Sequence, residues 1–369
     1  DVIDRLDTVD MMINMGPQHP STHGVFRMVL TVDGERIVRA EPVIGYLHRG
    51  VEKLCENVTY RQIVPLFDRM DYLADYNNEL GLALALEKLM GIQPPRRAEF
   101  LRAILCELTR ITSHMMFYGS FGADAGVTTP FIYAFREREN IQQVLESVSG
   151  VRMMPNFIRV GGLKDDVPAD FAQRLSVLLP RLRQGIDECD DLLTRNEVLL
   201  ARTKGVARIS AAEAIAYGMS GPNLRACGVP EDVRRTEPYS VYPELDFEVP
   251  VGQNGDAWDR YYMRIKEMRQ SVRIVEQCLG KLPEGPVMAE MPRSLRPPAG
   301  EVYSRTENPR GDFGVYLVSQ GGDKPYRLKV RAPSFCNLMA LQRLLLGCYV
   351  ADCVRILGSI DIVLGEVDR

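Results

Sequence analysis

The sequence has 369 residues, 46% of them apolar and 25% charged, with a formal net charge of -4. Such a balance leaves no basic stripe for nucleic acid, no run approaches the ~18 to 20 consecutive apolar residues of a membrane span, and Asp1-Val2-Ile3-Asp4-Arg5 lacks the basic and apolar regions of a secretion signal. These features predict a soluble chain that buries a sizeable core, and a first residue other than Met implies that a leader or another segment precedes it.

Met11 to Ile44 reads as strands: Val25 to Val32, an Asp33-Gly34 turn, then Arg36 to Arg39. Asp-Gly between β-branched runs is a hairpin signal. Ahead of it, Gly16-Pro17-Gln18-His19-Pro20-Ser21-Thr22-His23-Gly24 holds two of the four histidines in a turn with two prolines and a glycine at each end. Fixed proline φ angles would hold an imidazole in one direction at a sheet edge. The same residue types also build an ordinary tight loop.

After His48 the period becomes helical. Arg69-Met70-Asp71-Tyr72-Leu73 is expected to open a helix carrying Leu80 to Leu89, and Leu101, Ile104, Leu105, Leu108, Ile111 and Met115 form a stripe on a helix entered after Pro94-Pro95 and ended by Ser120 to Gly126. Further helices are predicted near Thr129 to Ser149, Ala169 to Leu200, Ala211 to Tyr217 and Asp256 to Leu282. Pro283 to Gly300 reads as a loop, Phe313 to Ser319 and Arg327 to Val330 as strands, and Asn337 to Leu346 and Ala351 to Leu357 as helices. The expected class is α+β, a mainly helical core with small sheets at its N- and C-terminal ends. No linker interrupts it, so one domain over 1–369 is expected, with a sheet region 1–45, a helical core 46–282 and a C-terminal region 283–369.

Motifs for hydrolases, nucleotide binding and zinc proteases are absent. The eight cysteines include no C-x-x-C pair. That predicts reduced, buried thiols and no metal or iron-sulfur site of this chain's own. His19 and His23 are four apart, but the intervening proline keeps them off one helix face. His114, mid-helix after Ser113, reads as a satisfied core histidine. Asp124 stands among small residues, where a carboxylate is either solvated at a helix end or held by a partner. Tyr72 is either a core aromatic or a donor.

Eight ordered stretches decide what spacing leaves open. They are Gly16 to Gly24, Gly45 to Lys53, Arg69 to Leu73, Thr129-Pro130-Phe131 with Phe135 to Glu139, Arg159 to Gly162, Leu224 to Gly228, Arg331 to Phe335, and Gly358 to Arg369. In that order the chain resembles, over nearly its whole length, the D (49-kDa-type) subunit family of respiratory complex I, the NADH:quinone oxidoreductase. That family is similar to the large subunit of nickel-iron hydrogenases, whose metal is held by two C-x-x-C pairs. Here the first pair falls on Asp71 and Ala74, the second on Val363 and Glu366. Without thiolates the nickel-iron centre cannot form, and the cavity is free for another ligand.

The resemblance implies a quinone headgroup in that cavity, with His23 and Tyr72 hydrogen-bonding its two carbonyls, Asp124 pairing with His23, and Val363 in contact with the quinone. It implies no redox cofactor in this chain, a terminal [4Fe-4S] cluster in an adjacent subunit, and NAD and FMN elsewhere in the complex. Arg49 and Arg69 match arginines close to that cluster, unless they form ordinary salt bridges; His19 and His48 are assigned to loop support. Implied partners are the subunit carrying the terminal cluster, the C-type neighbour and the membrane arm. The implied location is peripheral, on the cytoplasmic side of a bacterial plasma membrane or the matrix side in a mitochondrion.

Two departures stand out. Met154 occupies a position where many members have a His near the cluster, and a thioether takes up no proton. Gly285 to Pro298 is shorter than the family usually shows, as if a helical segment were missing. Alternatives are a non-catalytic scaffold between the peripheral and membrane arms, a ferredoxin-fed quinone reductase, and a membrane-bound hydrogenase. The four missing cysteines argue against the last.

Overall fold

The computed structural model describes residues 10–17 and 24–369. His19 and His23 lie outside the described residues. The chain opens with an antiparallel sheet in the order β1 (Met11–Met15), β2 (Arg27–Asp33), β3 (Arg36–Val43). The Asp33-Gly34 signal gives a hairpin closed by Asp33 opposite Arg36, with Gly34 at φ 60° as such a turn requires. One residue later the register slips by a bulge, Thr31 facing Arg39 and Val32 facing Ile37. That leaves Val38 turned outward.

Five helices follow: α1 (Val51–Cys55), α2 (Tyr60–Asp68), α3 (Asp75–Met90), α4 (Arg96–Asp124) and α5 (Thr129–Ser149). The segment Arg69 to Leu73 does not open α3 as expected but forms a separate turn. Asp71 accepts the Leu73 N–H at 3.1 Å on its carboxylate and the Ala74 N–H at 3.0 Å on its carbonyl. A short acid that captures nearby N–H groups competes with the helix ladder, so the helix begins beyond it.

A two-stranded ribbon, β4 (Ile158–Arg159) and β5 (Gly162–Leu163), leads to α6 (Phe171–Leu193) and α7 (Glu197–Thr203). The single helix expected over Ala169 to Leu200 is divided because Asn196 starts a new one, its Oδ1 accepting the Leu199 N–H at 3.1 Å. Short helices α8 (Ala211–Ala216), α9 (Gly221–Arg225) and α10 (Val233–Thr236) precede α11 (Ala257–Gly280).

The C-terminal sheet has three strands in the order β6 (Gly300–Asn308), β7 (Gly311–Ser319), β8 (Arg327–Arg331). Then come α12 (Pro333–Leu338), α13 (Leu341–Leu345), α14 (Cys353–Ile360) and α15 (Leu364–Asp368). The run expected as one helix over Asn337 to Leu346 is thus two pieces. No helix among the described residues is long and apolar enough to cross a membrane.

Three apolar clusters hold these parts together. One lies among α4, α5, α6 and α11; the predicted stripe Leu101 to Met115 is buried in it, and so are Tyr261, Ile265, Met268, Val272 and Val275 of α11. The second joins the N-terminal sheet to α13 and α14, and the third joins the C-terminal sheet to α2 and α3. All eight cysteines are free, and burial pushes the thiols of Cys55, Cys189 and Cys353 up to about 12, far from nucleophilic use at neutral pH.

β6 and β7 form a hairpin whose last pair is Asn308 opposite Gly311, so Pro309 and Arg310 are its tip. The tip is driven into the interior against α9. A Cβ at Gly311 (φ 131°) would stand 2.5 Å from Ser220 Oγ and 2.8 Å from the Gly221 nitrogen. Gly311→Ala is expected to destabilise the protein by at least ~2 kcal/mol through strain and clash, read as a lowered melting temperature.

Candidate functional site

Arg310 at the hairpin tip is fully buried and cannot shed its charge. Its Nη1 donates to Asp71 Oδ2 at 2.9 Å and to Ser113 Oγ on α4 at 2.8 Å, and Nη2 lies 3.3 Å from Asp361 Oδ1. Three remote parts of the chain therefore meet at one guanidinium: the turn 69–74, the middle of α4, and the segment 361–366 that turns from α14 into the start of α15. Asp361 takes the left-handed conformation (φ 60°) at the end of α14, turning the chain toward the tip.

The turn 361–366 packs directly on the turn 69–74. A Cβ at Gly365 would meet the Met70 carbonyl oxygen at 2.7 Å. Asp71, Ala74, Val363 and Glu366 thus lie on two facing turns, all four buried. Glu366 Oε2 accepts the Ser334 N–H at 3.0 Å, and its Oε1 has no hydrogen-bond partner among the described residues. Tyr72 differs from these neighbours in being 37% exposed. It lies at a narrow cleft lined also by Asp75, Thr109, Thr112, Arg138 and Met153. Burial raises its phenol above the usual value, with Arg310 acting in the opposite direction.

The stems of the histidine loop reach the same place. Gly16 packs so closely on the Phe26 carbonyl that a Cβ would stand 2.0 Å from its oxygen, and a Cβ at Gly24 would meet Leu364 Cδ1 at 2.9 Å. Gly24, next in sequence to His23, therefore sits on the residue after Val363. Asp124, half-buried, ends α4 eleven residues beyond Ser113, ~16 Å along the axis at 1.5 Å per residue.

Behind the turns, buried charge continues across the molecule. Asp361 Oδ2 lies 3.3 Å from Arg264 Nε on α11. One turn on, Glu267 accepts from Arg225 and lies 2.9 Å from His114 Nε2. Arg225 also reaches Glu307 at 2.8 Å and Asp232 at 3.8 Å. Asp232 pairs with Arg234 at 2.7 Å, Arg234 with Glu107 at 3.0 Å, and Glu107 with Arg110 at 3.1 Å. His114 is thus a core histidine, as expected, but only half satisfied: Nε2 meets Glu267 while the buried Nδ1 has no partner among the described residues, and burial lowers its imidazole below the ordinary value.

The outer face beside Tyr72 is cationic. Arg49 Nη2 donates to the Arg69 carbonyl at 3.4 Å and Arg69 Nη1 to the Pro65 carbonyl at 2.8 Å. Both are exposed, and neither has a carboxylate partner in the described residues. His48 supports its loop through the Asp368 carbonyl oxygen, 2.6 Å from Nδ1. Met154 is half-buried at φ 57°, and its N–H donates to Asp75 Oδ2 at 2.9 Å. Asp68 accepts from the Asn156 N–H, and Glu79 from the Phe157 and Ile158 N–H groups, so three buried acids hold this loop. Burial raises the Asp68 and Asp75 carboxyls to about 6 and about 7.

With that geometry in view, the comparisons are specific. The chain matches the family described as respiratory-chain NADH dehydrogenase, 49 Kd subunit, over residues 124–297 and 291–369. It is 52% identical over 363 residues to the D subunit of the NADH-quinone oxidoreductase of Carboxydothermus hydrogenoformans, covering 98% of this chain and 100% of that protein. The chain belongs to this family. The corresponding D subunits of Dehalococcoides mccartyi (52% identity, 99% of this chain, 100% of that protein) and Bacillus anthracis (49%, 98% and 99%) are similarly close. The α+β expectation agrees with the fold.

Sequence reasoning found Asp71, Tyr72 and Glu366 but missed Arg310, Asp361, Arg264 and Glu267. Pro309-Arg310 between two glycine-flanked runs was the available signal for a hairpin tip. Arg310→Met is expected to cost ~3–5 kcal/mol by leaving Asp71 and Asp361 without their cation, and adding Asp71→Asn should recover part of it in thermal melting. The pH dependence has two flanks. Neighbouring guanidiniums hold Glu107 and Asp232 at about 2, so their stabilisation is present above their ordinary values and is lost as pH falls toward 2. Burial raises Glu307 to about 7 and Glu366 to about 8, so stability also declines as pH rises from 4.5 toward 8. Melting temperature should peak near pH 4.5 on this account.

Proposed function

We propose that this chain forms the protein wall of the quinone-headgroup site in a proton-translocating NADH-quinone oxidoreductase, and supplies protons for quinone reduction. The observation that carries the reading is the meeting of the turns 69–74 and 361–366 at buried Arg310, with Tyr72 left partly exposed beside them. The positions that match hydrogenase metal ligands converge there, and carboxylic and aliphatic side chains stand where thiolates would be needed. An aliphatic Val363 and an uncharged phenol suit an apolar quinone ring. The names of the relatives, all D subunits of NADH-quinone oxidoreductases, support the same reaction.

Quinone reduction takes two electrons and two protons, so a donor must meet each oxygen as negative charge develops. Tyr72 serves one oxygen. His23 serves the other, oriented by Asp124, whose carboxylate favours the protonated imidazole. Gly24 against Leu364 supports the approach of that loop to the C-terminal turn. Electrons arrive from the [4Fe-4S] cluster of an adjacent subunit, on the face where Arg49 and Arg69 present guanidiniums that no carboxylate among the described residues pairs with, and where Met154 also lies. Cationic charge there favours the reduced cluster. The chain itself holds no redox group, works only in the complex with its cluster-bearing, C-type and membrane-arm partners, and is peripheral on the cytoplasmic or matrix side.

Tyr72→Phe removes one hydroxyl and little volume. In the assembled complex it is expected to lower quinone reductase turnover at least tenfold while NADH oxidation by an artificial acceptor continues. Near-normal turnover would return the chain to a scaffold role. Asp124→Asn is expected to lower turnover most on the alkaline side, since His23 would lose its proton at lower pH, as a pH–rate profile would reveal.

A further inference from the structure

Between α2, the β4–β5 ribbon and the segment Gly285 to Pro298 lies a pocket of about 280 Å³, at the lower edge of small-molecule sites, which run to roughly 300–1,000 Å³. Hydrogen bonds hold its walls in place. The Leu163 N–H donates to the Val287 carbonyl at 2.9 Å and the Ala289 N–H to the Gly161 carbonyl at 2.8 Å, so the segment adds itself to the ribbon. Arg61 Nη2 of α2 ties its middle through the Pro292 carbonyl at 2.8 Å, and Ser319 Oγ of β7 ties its end through the Pro297 carbonyl at 3.0 Å. Buried Val64, Val160 and Leu295 line the pocket with the thioethers of Met288 and Met291. Such flexible side chains adapt to the shape of what enters.

The rest of the lining is cationic. Arg61 and Arg159 have no carboxylate within ion-pair distance among the described residues, and Lys164 Nζ stands 3.9 Å from Asp165. Arg293 and Arg296 add two exposed cations on the same segment, against one exposed acid there, Glu290. The pocket also continues the cationic face beside Tyr72. Arg159 Nε donates to the Asn156 carbonyl at 3.0 Å, the Asn156 N–H donates to Asp68 Oδ2 at 3.1 Å, and Asp68 is followed directly by Arg69.

We infer that this pocket is a docking socket for the adjacent subunit that carries the [4Fe-4S] cluster: an apolar side chain of that subunit fills it, and carboxylates flanking that side chain meet Arg61, Arg159 and Lys164. This rests on the reading that sets the cluster-bearing partner on the Arg49 and Arg69 face. A pocket already held in shape costs little ordering on binding, and interface cores combine apolar anchors with arginine. Each unpaired guanidinium gains a charged hydrogen bond when a carboxylate arrives. A free fatty acid shares this chemistry, but the small volume and the continuity with the partner face favour a protein side chain.

Carbodiimide treatment of the purified complex joins a lysine amine to a carboxylate in contact with it. It is expected to link Lys164 to an acidic residue of the cluster-bearing subunit, read by peptide mass spectrometry, and this arm needs no variant to fold. Arg61→Glu combined with Lys164→Glu changes two exposed side chains outside the quinone site. It is expected to lower the amount of that subunit co-purified with this chain by about tenfold or more, while Lys164→Arg keeps it within about twofold. Lys164 linked only to Asp165 and open to acetylation in the complex, or full retention of the partner in the double variant, would overturn the inference. So would linkage of Lys164 to any other subunit, or a fatty acid extracted from the native complex and missing from a double variant that keeps the partner. If Arg49→Glu releases the cluster-bearing subunit and the double variant does not, only the socket fails; if neither releases it, the reading of this face as the partner's fails as well.

Discussion

A single buried guanidinium organises the interior. Arg310 cannot be neutralised, and moving an ion of that size out of water costs several kcal/mol even after relaxation. It is retained only because Asp71, Asp361 and Ser113 meet it together. That requirement fixes where the hairpin β6–β7 ends, where α3 begins, and how the chain turns after α14. The geometry beside Tyr72 is therefore a by-product of charge compensation. The apolar clusters surround this junction and do not by themselves dictate it.

The consequence for the helical core is unusual for a chain with ordinary composition. α4 buries Glu107, Arg110, Ser113 and His114 opposite its apolar stripe, and α11 buries Arg260, Arg264, Glu267 and Ser271. α4 is enclosed along most of its length, while α11 keeps a partly exposed stripe at Lys266, Arg269, Arg273 and Glu276. Their polar faces meet each other and the Arg225–Glu307 pair, while their apolar faces pack on α5 and α6. In this interior the carboxyls part company: guanidiniums hold Glu107 and Asp232 at about 2, while burial raises Glu307 and Glu366 to about 7 and about 8.

Much of the helical framework was legible because its signals are local. Thr129 to Ser149 agrees residue for residue with α5, and the Asp33-Gly34 hairpin stands where two β-branched runs require it. What failed has a common physical origin in polar groups that bond locally or lie buried. Asp71 captures two nearby N–H groups, so the turn 69–74 looks helical in periodicity yet is not. Strand β6 was unreadable because the residues it buries near the tip, Ser304, Thr306, Glu307 and Asn308, are polar, leaving no apolar alternation. Glu366 and Asp71 were visible as replaced cysteine positions, but their shared cation was invisible until the fold joined them. Arg310 has no local signature of burial, since its partners lie more than fifty residues away in either direction along the chain.

That separation has a kinetic side. Asp71 and Asp361, 290 positions apart in sequence, are brought to one guanidinium, and contacts of such range form late because loop-closure entropy must be met before they return any stability. During synthesis the turn 361–366 emerges after nearly everything it seals. Until then Asp71 faces Arg310 without the second acid, and Met70 lacks the cover of Gly365. The junction at Arg310, and with it the cover over Met70, is thus completed only after more than 300 residues ahead of Asp361 have been made.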